Sequence, residues 1–421
     1  MADRAQESPA SGIPGRNTAF AAVSAGSAVL LLIVQAIISQ TLGEDVFGRF
    51  NWALTLALFG EAVMDLGVHQ VTIRSIARDQ SQTARIFHNS LALKAVTGAA
   101  MFVVMGGIAF ALARDAALWH ACLVMLGVAI LRSYLLTIRG VLQGLERFGA
   151  DCLVVVGDRV LVLAGVGLAV LAGSGLFGVA AAFLLARLVA LAAALVLARG
   201  QTGGVRLSFD LALWRELQRE ALPIGMFLVV LNFYSYIDTL MLGVISTFAD
   251  TGLYSNAYRL YEGLSYAPAV LSAVLTPRLS RLWSTDRAAH WRLSRLGIAG
   301  AAGLAIVVAT AVWVFARPLL VMVFGPPAAE AVLALRLLVA GLGFVFVIWV
   351  LHAVALSVFR ERLLFTTTVI GAVVNTGLNV FLIPRYGRNG AALATALGEL
   401  VTLVLLLWGL RRPLRGASET A

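Results

Sequence analysis

The chain has 421 residues, of which 60% are hydrophobic and only 13% are charged, and its mean hydropathy is +0.90. Because soluble domains carry about 25% charged residues, this composition excludes a soluble enzyme. The net charge of +10 does not indicate a nucleic-acid-binding protein, because the arginines lie between long apolar runs. The composition indicates a polytopic membrane protein.

Apolar runs of about 20 residues are long enough to cross a bilayer as helices, which satisfy their own backbone hydrogen bonds. The predicted spans are 17–41, 50–72, 90–113, 117–138, 152–172, 176–198, 222–246, 252–275, 293–316, 331–356, 363–383 and 390–410. The first run indicates a signal anchor rather than a cleaved signal peptide. The pattern therefore predicts an all-α integral membrane protein with about twelve transmembrane helices.

The distribution of basic residues predicts the orientation. If the N-terminus is cytoplasmic, 22 basic residues lie in cytoplasmic segments or helix ends and only 5 lie in outer segments. Cytoplasmic loops of membrane proteins are enriched in arginine and lysine. We therefore expect both termini to be cytoplasmic.

Short motifs recur in the two halves of the chain. Residues 48–53 and 252–257 share the pattern Gly-x-aromatic-x-x-Ala at an offset of 204, and residues 175–180 and 387–392 share Gly-x-x-Gly-x-Ala at an offset of 212. The first offset also relates Arg74 to Arg278. These matches favour a six-helix duplication about an axis along the membrane normal. The alternative is that small residues recur because they let helices pack closely.

The predicted domain organisation follows from this duplication and from the longest loop. It comprises a cytoplasmic tail (1–16), a six-helix lobe (17–198), a cytoplasmic amphipathic linker (199–221), a second six-helix lobe (222–410) and a cytoplasmic tail (411–421). The linker mixes leucines and aromatic residues with charged ones, which predicts a short helix lying on the inner leaflet.

Ionisable residues inside apolar runs are costly and are candidates for function. Arg187 lies near the middle of the run 176–198, and the 212 offset relates it to Glu399 in the run 390–410. The pair either lines a cavity or locks the lobes together, and the pattern favours neither role. Arg132 lies about six residues from the inner end of its run, so we expect it to reach the interface.

Further charged residues within spans include Asp65, Asp158, Arg159, Asp238, Arg259 and Arg336. Arg259 can pair with Glu262, three residues later on the same helical face, or with Asp238, which lies at a similar depth. A buried Asp65 can carry a coupling proton or pair with a nearby arginine, and the pairing is favoured.

Six of the eight tyrosines lie between residues 234 and 266. The spacing of Tyr254, Tyr258 and Tyr261 places them on one helical face. Together with Asn232 and Tyr236 they form either a wall that faces a glycan or headgroup, or an ordinary packing surface with bonded hydroxyls. Pro268 lacks an N–H and predicts a kink in the same span.

Recognisable enzyme motifs are missing from the sequence, and so are metal-ligand or cofactor-binding spacings. The two cysteines, Cys122 and Cys152, lie in or beside apolar runs and indicate no disulfide framework. We expect no catalytic residues, no cofactor and no nucleic-acid partner.

An ordered set of segments resembles the polysaccharide-biosynthesis flippases (Wzx type) of the multidrug/oligosaccharidyl-lipid/polysaccharide (MOP) exporter superfamily. The segments are 42–50 (LGEDVFGRF), 65–67 (DLG), 72–78 (TIRSIAR), 142–147 (LQGLER), 238–243 (DTLMLG) and 252–259 (GLYSNAYR). The likeness covers essentially the whole chain, and the segments that carry it lie between residues 42 and 259. Each fragment alone is unspecific, whereas the set in this order is fairly specific.

The resemblance implies two lobes around a central cavity that opens alternately to each side of a bacterial or archaeal cytoplasmic membrane. The implied cargo is a polyprenyl-diphosphate-linked oligosaccharide, and a polysaccharide polymerase and glycosyltransferases of the same pathway are possible partners. Guanidinium groups can hold a diphosphate by charge-assisted hydrogen bonds. The arginine candidates for this role, in falling order, are Arg187, Arg259, Arg159 and Arg336.

Coupling or gating candidates are mainly carboxylates. They are Asp65, Asp238, Glu262, Glu399, Arg74 and Arg278. The alternative function is a multidrug/cation antiporter of the same superfamily, and a membrane glycan polymerase or ligase is less favoured. Lipid II flippases typically have two further helices, which disfavours a peptidoglycan precursor as cargo.

Overall fold

The computed structural model describes residues 19–20, 22–24 and 26–415, and every regular element in this part of the chain is a helix. The predicted all-α fold class is confirmed. The predicted tail 1–16 lies outside the described residues, as do residues 416–421 of the second tail.

The α-helices are, in chain order, α1 (Ala28–Asp65), α2 (Val68–Arg78), α3 (Thr83–Leu112), α4 (Ala116–Gly144), α5 (Phe148–Leu171), α6 (Leu176–Thr202), α7 (Leu211–Ile245), α8 (Phe248–Ser265), α9 (Ala267–Thr285), α10 (Arg287–Phe324), α11 (Val332–Ser357) and α12 (Glu361–Arg415). Two short 3-10 helices cover Gln80–Gln82 and Pro326–Ala331.

Nine helical segments within the described residues are long and apolar enough to cross a membrane. Their outer faces carry large exposed apolar side chains, such as Val103, Leu168 and Leu171, which suit contact with lipid. The protein is therefore a multi-pass membrane protein. The total of about twelve spans and the cytoplasmic placement of both termini stay predictions.

Two helices bend sharply at a glycine with positive φ. These are Gly43 in α1 (φ 78°) and Gly387 in α12 (φ 52°), in a region that side-chain-bearing residues rarely adopt. Beyond Gly387 the chain folds back, so that Gly409 lies against Leu363 and Gly398 lies against Asn375. α12 thus consists of two antiparallel legs, which correspond to the predicted spans 363–383 and 390–410.

The predicted kink at Pro268 is confirmed. α8 ends at Ser265 and α9 begins at Ala267, with Pro268 in its first turn. Proline is compatible with the first turn of a helix because the N–H it lacks has no partner within the helix there. The predicted span 252–275 is therefore interrupted at Tyr266.

The chain divides into two compact units, each built from separate stretches of sequence. The first unit comprises 1–35, 60–108 and 123–225, and the second comprises 36–59, 109–122 and 226–421. In the first unit, Ile76, Phe87 and Leu142 belong to one buried apolar cluster. The division into two six-helix lobes stays a prediction.

In the second unit, α1 and α8 cross in backbone contact at two glycines. A Cβ on Gly48 would lie 1.7 Å from the carbonyl oxygen of Phe248, and a Cβ on Gly252 would lie 2.2 Å from that of Glu44. The contact is reciprocal, because each glycine meets the carbonyl four residues before the other glycine, and both pairs are related by the offset of 204. Small residues permit such close helix crossings.

The linker predicted at 199–221 is only partly non-helical. α6 continues to Thr202, and α7 already begins at Leu211. Leu217 and Ala221 of α7 belong to a buried cluster with Val68 of α2. The apolar face of this segment thus packs on protein of the first unit, and its contact with the inner leaflet stays a prediction.

We predict that Gly48→Ala lowers the thermal stability of the purified protein, because the new methyl group would overlap the Phe248 carbonyl and overpacking costs about 1–3 kcal/mol. Gly263→Ala is the matched control, since Gly263 lies on α8 with open space around it. Melting followed by tryptophan fluorescence should show a clear drop for the first variant only. Equal melting temperatures would contradict the close crossing.

Candidate functional site

Five ionisable side chains of the first unit come together within apolar helices. We call them the basic cluster: Glu61 (α1), Arg132 (α4), Asp158 and Arg159 (α5), and Arg187 (α6). Arg187 Nη1 donates a hydrogen bond to Asp158 Oδ2, and Arg132 Nη1 lies 3.2 Å from Glu61 Oε2. The three guanidinium groups also interact electrostatically with one another. Three cations and two carboxylates leave one net positive charge.

The basic cluster lies deep along its helices. Arg187 is 11 residues from the start of α6 and 15 from its end, and Arg132 is 12 residues from the end of α4. At 1.5 Å per residue these distances are about 16 Å or more. Ionised groups within apolar helices are costly unless they are paired, so the charges must be compensated where they lie.

Several polar atoms of the basic cluster are buried without a hydrogen bond. Arg187 is only 8% exposed, and its Nε and Asp158 Oδ1 have no hydrogen-bond partner among the described residues. Arg159 donates to the carbonyl oxygen of Ser24 at 2.6 Å and to the Ser27 hydroxyl. A guanidinium has five N–H donors, so the cluster retains donor capacity for an anion.

Two expectations concern this cluster. The carboxylate that pairs with Arg187 is Asp158 on the neighbouring helix α5, whereas Glu399 lies in the second unit beside Tyr234. The relation between Arg187 and Glu399 across the lobes stays a prediction. α4 continues six residues beyond the predicted span, and Arg132 pairs with Glu61, while its reach to the membrane interface stays a prediction.

Asp65 forms a separate buried ion pair in the first unit. Lys94 is fully buried, and its Nζ donates to Asp65 Oδ1 at 2.6 Å and to the carbonyl oxygen of Ser133 at 2.8 Å. The expectation that Asp65 pairs with an arginine is therefore wrong. Lys94 lies near the start of the predicted span 90–113, and packing of α3 buries it completely.

In the second unit, four tyrosines form what we call the tyrosine cluster: Tyr236 on α7, and Tyr254, Tyr258 and Tyr261 on α8. The centroid of the Tyr258 ring lies 6.3 Å from that of Tyr236, 5.7 Å from that of Tyr254 and 5.6 Å from that of Tyr261. The shared face of the three α8 tyrosines is confirmed. The α8 tyrosines are buried, so their rings face one another.

Arg259 pairs with Glu262, as the i+3 spacing predicted, at 2.8 Å. Its second terminal nitrogen donates to Asn51 Oδ1 at 3.5 Å, and Tyr236 donates to the other oxygen of Glu262 at 2.9 Å. Asn232 donates to the carbonyl of Leu228 in its own helix. The polar edge of the tyrosine cluster is thus a bonded network around Glu262.

The other predicted arginines lie apart from these clusters. Arg336 donates to the carbonyl of Trp313 at 3.2 Å and lies over its ring. Arg74 on α2 and Arg278 on α9 are exposed. The structure places none of these three beside a carboxylate of the described residues.

Asp238 is fully buried among neutral donors rather than beside Arg259. Oδ2 accepts from Tyr254 at 2.7 Å and from Thr395 at 2.5 Å, and Oδ1 accepts from Asn379. Asn375 accepts from Asn379 at 3.2 Å. The bend at Gly387 brings both legs of α12 to this one carboxylate.

The sequence analysis missed Glu61, Lys94, Asn375, Asn379 and Thr395. Glu61 and the two asparagines could have been found from the sequence, because each belongs to a pair of polar residues at helical spacing. Glu61 precedes Asp65 by four residues, and Asn375 precedes Asn379 by four, each pair within an apolar run. Thr395 offers no comparable signal, because threonines are common in membrane helices.

The fold is similar to those of two solved membrane transporters. A structure of the lipid II flippase MurJ in an inward closed conformation superposes with a TM-score of 0.77 at 12% identity, covering 96% of this chain and 90% of the other. An inward-facing multidrug resistance MATE transporter superposes with a TM-score of 0.76 at 16% identity, covering 96% and 99%. These identities establish the fold alone.

A family model described as "Polysaccharide biosynthesis protein" matches residues 15–283, which is more than half of the chain. The chain belongs to this family.

Two curated relatives are proteins of Haloferax volcanii: the probable flippase AglR, 30% identical over 185 residues, and the probable low-salt glycan biosynthesis flippase Agl15, 28% identical over 176 residues. Each match covers 41% of this chain and spans 37% of the relative.

We predict that Lys94→Met destabilises the protein by about 3–5 kcal/mol, because it leaves Asp65 as an unpaired buried carboxylate. The double variant Lys94→Met/Asp65→Leu removes both charges and should recover most of the loss. Thermal melting in detergent measures both variants. A double variant as unstable as the single one would show that the cost is steric.

Proposed function

We propose that this protein translocates a polyprenyl-diphosphate-linked oligosaccharide from the cytoplasmic to the outer leaflet of the cytoplasmic membrane of a bacterium or archaeon. Membership of the polysaccharide biosynthesis family and the similarity to two probable flippases support this proposal. The observation that carries it is the net positive basic cluster within apolar helices of the first unit.

A diphosphate headgroup cannot enter hydrocarbon unless other groups replace its hydration. Arg187 donates one N–H to Asp158, and its Nε has no hydrogen-bond partner among the described residues. The Arg132 side chain is 39% exposed although its partner Glu61 is buried. Both arginines therefore have donors to offer to phosphate oxygens, in the charge-assisted geometry that guanidinium groups favour. Arg159 supplies a third cation nearby.

The roles of the second-unit candidates follow as weaker proposals. Five side chains of the second unit contact the glycan or headgroup in this proposal, and they do so only if the tyrosine rings separate during transport. They are Arg259, Asn232, Tyr236, Tyr258 and Tyr261. Arg336 is the weakest candidate, because its guanidinium already contacts the carbonyl oxygen and the aromatic ring of Trp313.

Asp238 is the best candidate for coupling transport to an ion gradient. A buried carboxylate surrounded by hydroxyl and amide groups, and without a cation among its described contacts, can take up a proton or a small cation at modest cost. Asp65 is the poorer candidate, since Lys94 already compensates it. Glu262 and Glu399 serve as gates in this proposal, together with Arg74 and Arg278.

In this proposal the two predicted lobes move relative to each other, so that the cavity opens alternately to each side of the membrane. Glycosyltransferases of the pathway would supply the lipid-linked glycan, and a polysaccharide polymerase would consume it.

We predict that Arg187→Ala and Arg187→Lys both reduce surface-polysaccharide export at equal protein level, Arg187→Ala by about tenfold or more. Lysine keeps the charge but loses the bidentate fork, so its loss should be smaller. Arg281→Ala, which removes an exposed arginine with no proposed role, is the control and should retain most export. Export is quantified in cells in which this protein is the only flippase for the glycan.

Two outcomes would contradict the proposal. Wild-type export by both Arg187 variants would remove this residue from the site. Resistance to cationic drugs upon overproduction, without any effect on export, would instead indicate the multidrug antiporter.

We predict that Asp238→Asn abolishes the response of transport to an imposed ion gradient, because asparagine keeps the size of the side chain but cannot be ionised. The measurement uses the purified protein in vesicles that contain a labelled lipid-linked oligosaccharide, with proton and sodium gradients imposed separately. Asp79→Asn, at an exposed position, is the control and should respond as the wild type does. An unchanged response of Asp238→Asn would exclude this carboxylate from coupling.

A further inference from the structure

A pocket of about 340 Å³ lies in the first unit, beside the start of α7. Its wall is mainly apolar and includes Met64, Leu66, Leu93 and Leu222. Arg215 and Arg219, also on its wall, are exposed, so the pocket opens to the surface beside them. Neither the basic cluster nor the tyrosine cluster contributes to it.

The charge at this opening is positive. Arg215 and Arg219 are four residues apart on α7 and therefore project from one face. Neither forms an ion pair within the part of the chain that the structure describes. Asp65 is the acidic group of the pocket wall, and Lys94 neutralises it at 2.6 Å. An anion at the opening thus meets two available guanidinium groups and a compensated carboxylate.

The segment that leads into α7 exposes a row of apolar side chains. Val205, Leu207, Phe209 and Leu211 alternate with polar residues, and each is more than half exposed. Apolar side chains interleaved with arginines are typical of a surface that lies in the membrane interface. This row places the pocket opening beside lipid headgroups.

Hydrogen bonds hold the segment in place on α3. Arg85 donates to Asp210 at 2.8 Å, the Asp210 N–H donates to Asn89, and His88 bonds the carbonyl oxygen of Gly204 at 3.0 Å. The hydrogen bond from Arg85 lowers the pKa of Asp210, so this attachment stays ionised at neutral pH. The apolar row is therefore part of the folded unit.

We propose that this pocket binds one anionic phospholipid of the surrounding bilayer. The headgroup phosphate lies at Arg215 and Arg219, and one acyl chain follows the wall formed by Met64, Leu66 and Leu93. Basic pockets between membrane helices on the cytoplasmic side bind acidic lipid headgroups in this way. The inference goes beyond the proposed function, because this lipid is a bound component of the bilayer and not the cargo.

The test is native mass spectrometry of the full-length protein after delipidation. It is titrated with phosphatidylglycerol, with phosphatidylcholine of the same chains, with a polyprenyl phosphate and with inorganic phosphate. We expect one molecule of phosphatidylglycerol to bind tightly and phosphatidylcholine to bind more weakly. Arg215→Gln/Arg219→Gln should weaken phosphatidylglycerol about 30-fold, the effect of two arginines near an anionic surface, and leave phosphatidylcholine unchanged.

Arg281→Gln/Arg295→Gln is the matched control, since it removes two exposed arginines elsewhere, and it should bind phosphatidylglycerol as the wild type does. Leu222→Asp, on the exposed side of the pocket wall, should weaken both phospholipids without unfolding the chain. An equal loss of phosphatidylglycerol affinity in the control would show that the effect comes from diffuse surface charge, and it would overturn the proposal of a specific site. Tighter binding of polyprenyl phosphate, or equal competition by inorganic phosphate, would overturn the assignment to a bilayer lipid.

Discussion

Ionised side chains inside apolar helices impose the constraint on which this structure depends. Each such group must find a partner at the depth where it lies, because leaving it unpaired in a low-dielectric medium costs several kcal/mol. Lys94 meets this requirement with Asp65 and a backbone carbonyl, and Arg259 meets it with Glu262. The helices are arranged so that these partners, which are far apart in the sequence or one turn apart, come within hydrogen-bonding distance.

The two units satisfy the constraint with different chemistry. The basic cluster of the first unit has one more guanidinium than carboxylate and retains unbonded N–H donors. In the second unit, Asp238 is held by hydroxyl and amide groups. A surplus of fixed positive charge suits an anionic headgroup, whereas a carboxylate in a neutral surrounding can change its charge state. This contrast supports separate roles in cargo binding and in coupling.

The sequence predicted local features better than pairings. The i+3 spacing of Arg259 and Glu262, the shared face of the α8 tyrosines and the break at Pro268 follow from helical geometry alone, and all three are confirmed. The pairing of Arg187 with Asp158 was not predicted, because repeat offsets relate equivalent positions and do not indicate which helices are neighbours. The pairing of Arg132 with Glu61 was not predicted either, because the two residues lie on separate helices.

Composition and hydropathy by themselves determined that this chain is an all-helical membrane protein, because a helix that crosses a bilayer must be apolar along its whole length. The order of the short motifs indicated the family, since each motif is a run of consecutive residues that can be read without knowing the tertiary structure. The ion pairs between different helices in the basic cluster and at Lys94, the glycine crossing of α1 and α8 and the setting of Asp238 were decided only by tertiary structure. They join residues that are 16 to 208 positions apart, and nearly uniform apolar helices do not reveal in sequence which face meets which neighbour.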